Sequence, residues 1–174
     1  YTVVQRSRNT SASVALASAL DVVNASISDT ASDAAAGDEP TFKTVEERAK
    51  AAKEKLSVVR SEHSGTGAAT IAQLYLGHVA LQQGDHAAAA QAYQSFLDET
   101  PSSDPLRYAG LAGLAMALDA KGDRKGAIAR LDELVNLPDK IDEDAALLEL
   151  GRLHELEGNV TAARAALERI SKDF

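Results

Sequence analysis

The stretch TIAQLYLGHVALQQGDHAAAAQAYQSFLDETP, from Thr70 to Pro101, decides the fold. It predicts two amphipathic helices separated at Gly84-Asp85. In the first helix, apolar residues recur at spacings of three and four on more than one face, as expected for a helix that lies between two neighbours. Gly84 can end this helix because glycine tolerates positive φ, and Asp85 can cap the next one. Pro101 ends the second helix because proline cannot continue the hydrogen-bond ladder.

The second helix of this stretch carries bulky side chains next to small ones. Ala89 allows the two helices to approach closely, and Tyr93 and Phe96 are expected to fill the space between them. A hairpin of this kind cannot bury all of its apolar surface alone. The sequence therefore predicts further helical neighbours.

The neighbours come from the same pattern, which recurs twice downstream. The turn Gly84-Asp85 recurs as Gly122-Asp123 and Gly158-Asn159, so that the glycines lie 38 and 36 positions apart. A leucine stands eight positions before each glycine, and an alanine five positions after it. Self-similarity at this period is the signature of a helical solenoid. The predicted helix hairpins are residues 70–101, 105–137 and 143–172.

The chain before these hairpins predicts two more helices. One covers residues 11–27 with Val14 and Leu16 among its apolar set, and the other covers residues 44–63. The second has apolar residues at the spacing of a repeat's second helix: Ala49, Ala52, Leu56 and Val59. The acidic, small-residue stretch 29–40 between the helices predicts a flexible loop. Residues 1–63 are interpreted as a degenerate first repeat and residues 64–174 as the three hairpins; alternatively, the first helix is an extension that leads away from the solenoid.

Several helix ends are predicted from single residues. Asp104-Pro105 is expected to open the second hairpin, with Asp104 as N-cap and Pro105 in the first helical position. Asp142 is expected to cap the first helix of the last hairpin. In the final helix, Arg164 and Arg169 are expected to face water, and acidic residues near helix starts are interpreted as favouring the helix dipole.

The composition excludes several classes of function. The formal net charge is −8, which argues against a nucleic-acid binder and against adsorption to anionic lipid. The chain has no cysteine, so disulfides and thiolate metal sites are excluded. No apolar run approaches the ~18 residues of a membrane span. The sequence begins at Tyr1 rather than Met, so any signal or membrane anchor is expected upstream.

A search for catalytic and metal-binding motifs predicts no enzyme. His154-Glu155 begins like a zinc-protease helix, but the position of the second histidine is Gly158. The four histidines lie in different segments, which does not favour a convergent metal site. No phosphate-binding loop and no nucleophile elbow occurs. The sequence therefore predicts no catalytic residues, no metal and no cofactor.

The repeats resemble the tetratricopeptide repeat at its signature positions. Leu76-Gly77, Gly84-Asp85, Ala89, Tyr93 and Pro101 match the motif, and the later copies depart mildly from it, with Ala115 in place of the small glycine. The resemblance implies an all-α, right-handed superhelix of antiparallel helix hairpins, with about three clear repeats plus the degenerate one. It also implies that the first helix of each repeat lines a concave groove that binds other proteins. The groove residues carried over in this way are Leu74, Tyr75, His78, Leu81, Met116, Asp119, Leu148, Arg152 and Glu155.

The groove lacks the basic clamp by which some tetratricopeptide co-chaperones hold a carboxylate terminus, because Leu74, His78 and Gly113 occupy three of its places. An apolar groove is instead expected to take an extended or helical segment of another protein. The sequence is equally compatible with a second interpretation, in which Leu74, Leu81 and Met116 pack between repeats and do not bind a partner.

The layout of the whole chain resembles bacterial membrane-anchored envelope proteins of the ancillary Sec-translocon-subunit type. Besides the two N-terminal helices, the resemblance rests on the join at residues 64–67 and the closing Ser171-Lys172-Asp173-Phe174. It implies a non-catalytic, chaperone-like module on the periplasmic face of the inner membrane. Its partners would be translocon or envelope subunits or unfolded clients, and it would touch the membrane only through an upstream anchor. The alternatives are a structural scaffold subunit of an envelope assembly complex and a soluble cytoplasmic adaptor.

Overall fold

The computed structural model describes residues 2–28, 40–138 and 141–173, which form eight α-helices and one pair of two-residue strands. The predicted all-α fold is confirmed. The chain divides into two compact units, an N-terminal unit of Tyr1–Asp85 and a C-terminal unit of His86–Phe174. The N-terminal unit contains α1 (Thr2–Val23), β1 (Ser26–Ile27), β2 (Thr41–Phe42), α2 (Val45–Glu62) and α3 (Gly67–Gln82). The C-terminal unit contains α4 (His86–Glu99), α5 (Arg107–Ala120), α6 (Arg124–Val135), α7 (Glu143–Leu156) and α8 (Val160–Asp173).

The core of the N-terminal unit lies where α1 packs on α2 and α3. The four apolar residues predicted for α2, from Ala49 to Val59, are all buried, so their assignment is confirmed. In α1, Leu16 is buried as expected, but Val14 is 66% exposed and its assignment to the apolar face is wrong. The helix also begins and ends earlier than predicted, at Thr2 and Val23, and Ile27 belongs to β1.

The two strands lie before and after residues 29–39 in the sequence. They pair in parallel, with Ser26 opposite Thr41 and Ile27 opposite Phe42. Ser28 N donates to Phe42 O at 2.9 Å and extends the pairing by one bond. The predicted flexible loop at 29–40 lies, except for Pro40, outside the described residues.

The repeated Gly-Asp and Gly-Asn turns have the predicted conformation in all three places. Gly84, Gly122 and Gly158 have φ values of 73°, 84° and 76°. The backbone N–H groups of each glycine and of the residue after it donate back to carbonyls of the preceding helix, which closes the helix end. Asp123 Oδ1 then accepts from Gly126 N at 2.9 Å, and Asn159 Oδ1 accepts from Ala162 N at 3.2 Å, so both side chains cap the next helix.

One predicted helix start and one predicted helix cap are wrong. The second hairpin opens with a turn, and α5 begins at Arg107 rather than at Pro105. Asp104 Oδ1 accepts from Leu106 N at 2.8 Å, so it stabilises the turn before the helix instead of capping the helix. Asp142 precedes α7 in a left-handed conformation with φ 52°, and its side chain makes no capping bond.

The C-terminal unit is a chain of neighbouring helices in which α4 packs on α5, α5 on α6, α6 on α7 and α7 on α8. Tyr93 and Phe96 were expected to fill the space between the two helices of the first hairpin, but the contacts described for their rings are with glycines of α5, the first helix of the next hairpin. A Cβ added at Gly113 would stand 2.7 Å from Tyr93 Cε2, and one at Gly110 would stand 2.7 Å from Phe96 Cδ1. Two glycines one turn apart therefore allow α5 to approach the aromatic face of α4.

Candidate functional site

The groove residues predicted in the N-terminal unit all lie on α3. Leu74 is buried, Tyr75 and Leu81 are half-buried, and His78 is exposed. His78 Nε2 lies 2.9 Å from Gln82 Nε2, one helical turn away. Of these four residues, His78 is the most exposed to solvent. The role of all four in partner binding stays a prediction.

A cleft lies between α5, α6 and α7 of the C-terminal unit, and of the groove residues predicted there only Met116 lines it. The cleft has a volume of about 380 Å³, within the range of small ligand sites. Met116 of α5 forms part of its wall and is 58% exposed. The complete lining is Ala112, Ala115, Met116, Leu131, Leu134, Asp142, Ala145, Ala146, Glu149 and Leu153.

The floor of this cleft includes two residues that the groove prediction missed. Leu131 and Leu134 of α6 are buried and line the cleft from below. The prediction drew only on the first helix of each repeat, whereas these leucines come from a second helix. The signal was in the repeat register, since they stand nine and twelve positions after Gly122, where each copy carries a large side chain.

Leu148 and Glu155 lie on α7 but do not line the cleft. Leu148 is 60% exposed and adds a second apolar side chain to the surface beside it. Glu155 borders a shallow depression against α8, together with Val160 and Leu167. The predicted groove residues of α7 are thus distributed over two neighbouring surfaces.

Asp119 and Arg152 meet in an ion-pair network that joins α5 to α7. Arg152 Nη2 donates to Asp119 Oδ2 and to Glu149 Oε1, both at 2.5 Å, and Arg152 Nε donates to Glu149 Oε2 at 2.8 Å. Arg124 extends the network, with its Nε 3.9 Å from Asp119 Oδ1 and its Nη1 3.4 Å from Glu157 Oε1. The hydrogen bond to Glu149, and then that to Asp119, raises the pKa of Arg152 above its ordinary high value. The guanidinium is therefore charged at every pH at which the protein is folded.

A second kind of ion pair ties together the two helices of each C-terminal hairpin. Arg107 Nη2 of α5 donates to Glu133 Oε1 of α6 at 2.8 Å. In the next hairpin, Arg169 Nη2 of α8 donates to Glu143 Oε1 of α7 at 2.5 Å. Arg169, which was expected to face water, keeps 41% of its side chain exposed but also holds this ion pair. Glu143 is a buried partner in the pair rather than only a charge that favours the helix dipole.

These two ion pairs occupy equivalent positions with opposite signs. The first members, Arg107 and Glu143, stand fifteen positions before the glycine of their hairpin, and the second members, Glu133 and Arg169, stand eleven after it. Aligning the repeats and looking for a sign reversal at paired positions would have revealed both contacts. The reversal means that each first helix is complementary to its own second helix and repels that of the other hairpin.

No metal-binding cluster was found among the described residues, where no three His, Asp or Glu side chains come together in a suitable arrangement. Within residues 2–28, 40–138 and 141–173, no helix is both long and apolar enough to cross a membrane.

These features define an all-helical repeat protein whose neighbouring hairpins share a partly apolar face. Residues 47–104 and 112–173 match the tetratricopeptide repeat family, and together they make up more than half of the chain. The chain therefore belongs to the tetratricopeptide repeat family, whose domains are in general protein–protein interaction modules. A comparison with curated proteins found no match.

Proposed function

We propose that this protein is a non-catalytic module that binds segments of other proteins in the cleft between α5, α6 and α7. The observation that carries the proposal is the exposure of Met116 at 58%, directly above an apolar floor. Burying the exposed part of this side chain against a partner is worth about 1–2 kcal/mol. The exposed Leu148 on the adjoining surface would add a second anchor.

The proposed setting is a membrane or secretion complex of a bacterial envelope, where the protein would act as a chaperone-like or ancillary subunit. The layout of helices that resembles the ancillary Sec-translocon subunit supports this setting. The periplasmic face of the inner membrane is the corresponding location, reached through an anchor that precedes this sequence. A protein at that location is degraded by external protease in spheroplasts and survives in intact cells. Protection in both would overturn the proposed location.

The binding proposal is tested by a photo-crosslinking amino acid placed at Met116, in the intact protein and in the cells that produce it. The matched control is Lys125, an exposed residue of α6 outside the cleft. The proposal predicts discrete adducts from position 116 that are absent from position 125. Equal labelling at both positions, or none at position 116, would overturn it.

Mass spectrometry of the same adducts separates the proposed role from its rival. A chaperone-like subunit is expected to yield many partners, captured while they are unfolded. A scaffold subunit would yield one partner in constant proportion, and that result would overturn the chaperone-like role while leaving the cleft as the binding surface.

A further inference from the structure

We infer that the cleft between α5, α6 and α7 takes a protein segment whose apolar centre is flanked on both sides by lysine or arginine. The inference rests on the proposed function and adds the chemistry of the partner to it. It follows from the distribution of charge along the cleft, which differs between its centre and its two ends.

The centre of the cleft is apolar. Ala112 and Met116 of α5 face Ala145 and Ala146 of α7, and the leucines of α6 form the floor. Small side chains on both walls leave room for a side chain from a partner, as a hot-spot pocket requires. A polar group placed there would lose its bonds to water without finding a partner, so the centre selects for apolar anchors.

One end of the cleft carries the carboxylate of Asp142. This residue lines the cleft, is exposed, and stands immediately before α7. Its backbone is left-handed, with φ 52°, a strained conformation for a residue other than glycine, and its side chain makes no hydrogen bond that caps the helix. The carboxylate therefore remains available to a cation at the mouth of the cleft.

The other end carries the ion-pair network around Arg152. The network joins the carboxylates of Asp119, Glu149 and Glu157 to the guanidinium groups of Arg124 and Arg152. Three negative charges against two positive ones leave a formal excess of one negative charge. Among the residues described as lining the cleft, two are carboxylates and none is a cation. A partner with negative flanks would thus meet only carboxylates among the charged residues that line the cleft.

The distance between the two ends sets the spacing of the flanking charges. The two carboxylates that line the cleft, Asp142 and Glu149, stand seven residues apart, which corresponds to about 10 Å along the axis of α7. A helical segment covers that distance in about seven residues, and an extended segment covers it in about three. The partner is therefore a short segment, with one basic residue at each end of its apolar stretch.

Three labelled synthetic peptides test this inference by fluorescence anisotropy with the whole chain. The first has a leucine-rich centre flanked by lysines, the second has the same centre flanked by glutamates, and the third has lysine flanks and a serine-rich centre. We expect the first to bind about three- to tenfold more tightly than the second at low ionic strength, with a smaller difference at physiological ionic strength. We expect the third not to bind.

Single substitutions locate the effect in the cleft. Asp142→Asn should reduce the preference for lysine flanks about two- to threefold, because it removes the charge at one end. Asp144→Asn is the matched control, since Asp144 is an exposed carboxylate in the first turn of α7 that does not line the cleft. Met116→Ser should weaken both leucine-centred peptides alike.

The outcomes distinguish the inference from the proposed function. Equal binding of the lysine- and glutamate-flanked peptides, both sensitive to Met116→Ser, would overturn the inference and leave the apolar cleft as a binding surface. Binding of the serine-centred peptide would overturn it as well, because attraction would then be electrostatic without an apolar anchor. If no peptide binds, the inference fails, and crosslinking from position 116 still decides the proposed function.

Discussion

At the scale of single residues, close approach and burial determine what each position tolerates. Gly113 has its Cα against the ring of Tyr93, and no side chain fits between them. Tyr93 is itself only 4% exposed, so its ring has little room to move away. The identity of Gly113 is therefore explained by packing on α4.

Gly113→Ala is expected to lower the free energy of unfolding by about 1–3 kcal/mol, because the added methyl group overpacks the contact with Tyr93. Urea denaturation followed by circular dichroism measures the change. The matched control is Gly67→Ala at the start of α3, where a Cβ would meet nothing within 4 Å. That substitution should be neutral or slightly stabilising. Equal stability of the two variants would show that α5 does not approach α4 as described.

The burial of Tyr93 predicts a dependence of stability on alkaline pH. Burial raises the pKa of Tyr93 from 10.0 to about 12. The unfolded chain loses the phenolic proton near pH 10, whereas the folded protein retains it until about pH 12. The contribution of Tyr93 to the free energy of unfolding is therefore fully present below pH 10. It falls by about 2–3 kcal/mol as the pH rises from 10 to 12.

The measurement is the free energy of unfolding of the wild type and of Tyr93→Phe at several pH values between 9 and about 12. Other tyrosines and lysines titrate in both proteins, so only the difference between the two reports on Tyr93. We expect that the wild type loses stability relative to Tyr93→Phe over this range. A difference independent of pH would contradict the burial of the phenol.

At the scale of helices, the sign-reversed ion pairs specify which helices form a hairpin. Arg107 pairs with Glu133, and Glu143 pairs with Arg169 at the equivalent positions. An exchange of partners would bring two arginines or two glutamates together, which disfavours the wrong pairing. The pairs thus add specificity to hairpins whose apolar surfaces are otherwise similar in all copies.

Arg169→Met is expected to destabilise the fold by about 1–3 kcal/mol, because the buried carboxylate of Glu143 loses its guanidinium partner. Arg164→Met, on an exposed position of the same helix, is the control and should change little. The double substitution Glu143→Arg with Arg169→Glu should recover part of the stability lost by either single substitution. If the double variant is no better than the sum of the singles, the pair does not contribute to hairpin specificity.

At the scale of the whole molecule, the repeat period was a stronger predictor of the fold than the expected packing of single residues. The recurrence of Gly84, Gly122 and Gly158 was sufficient to place the ends of α3, α5 and α7, because each glycine marks a helix end by its positive φ. The β1–β2 pair could not be predicted, since two residues on each side carry no periodic signal. The left-handed Asp142 was also missed, as aspartate before a helix ordinarily caps it.

The candidate site was predicted only in part, for a related reason. Met116, which lines the cleft, was among the predicted groove residues because the resemblance implies that first helices line the groove. The floor residues of α6 and the partners of Arg152 depend on which helices become neighbours in space, which the motif register does not state. The division of the chain at residue 85 depends on packing in the same way. Contacts distant in sequence therefore account for most of what the sequence did not reveal.

The most direct test of the central claim uses Met116, which is the only methionine in the sequence. In protein labelled with ¹³C at its methionine methyl groups, the resonance of Met116 reports from the wall of the cleft. We predict that it shifts in a saturable manner when either leucine-centred peptide is added and stays unchanged with the serine-centred peptide. A resonance that stays in place while anisotropy shows a leucine-centred peptide to be bound would contradict the assignment of the cleft as the binding surface.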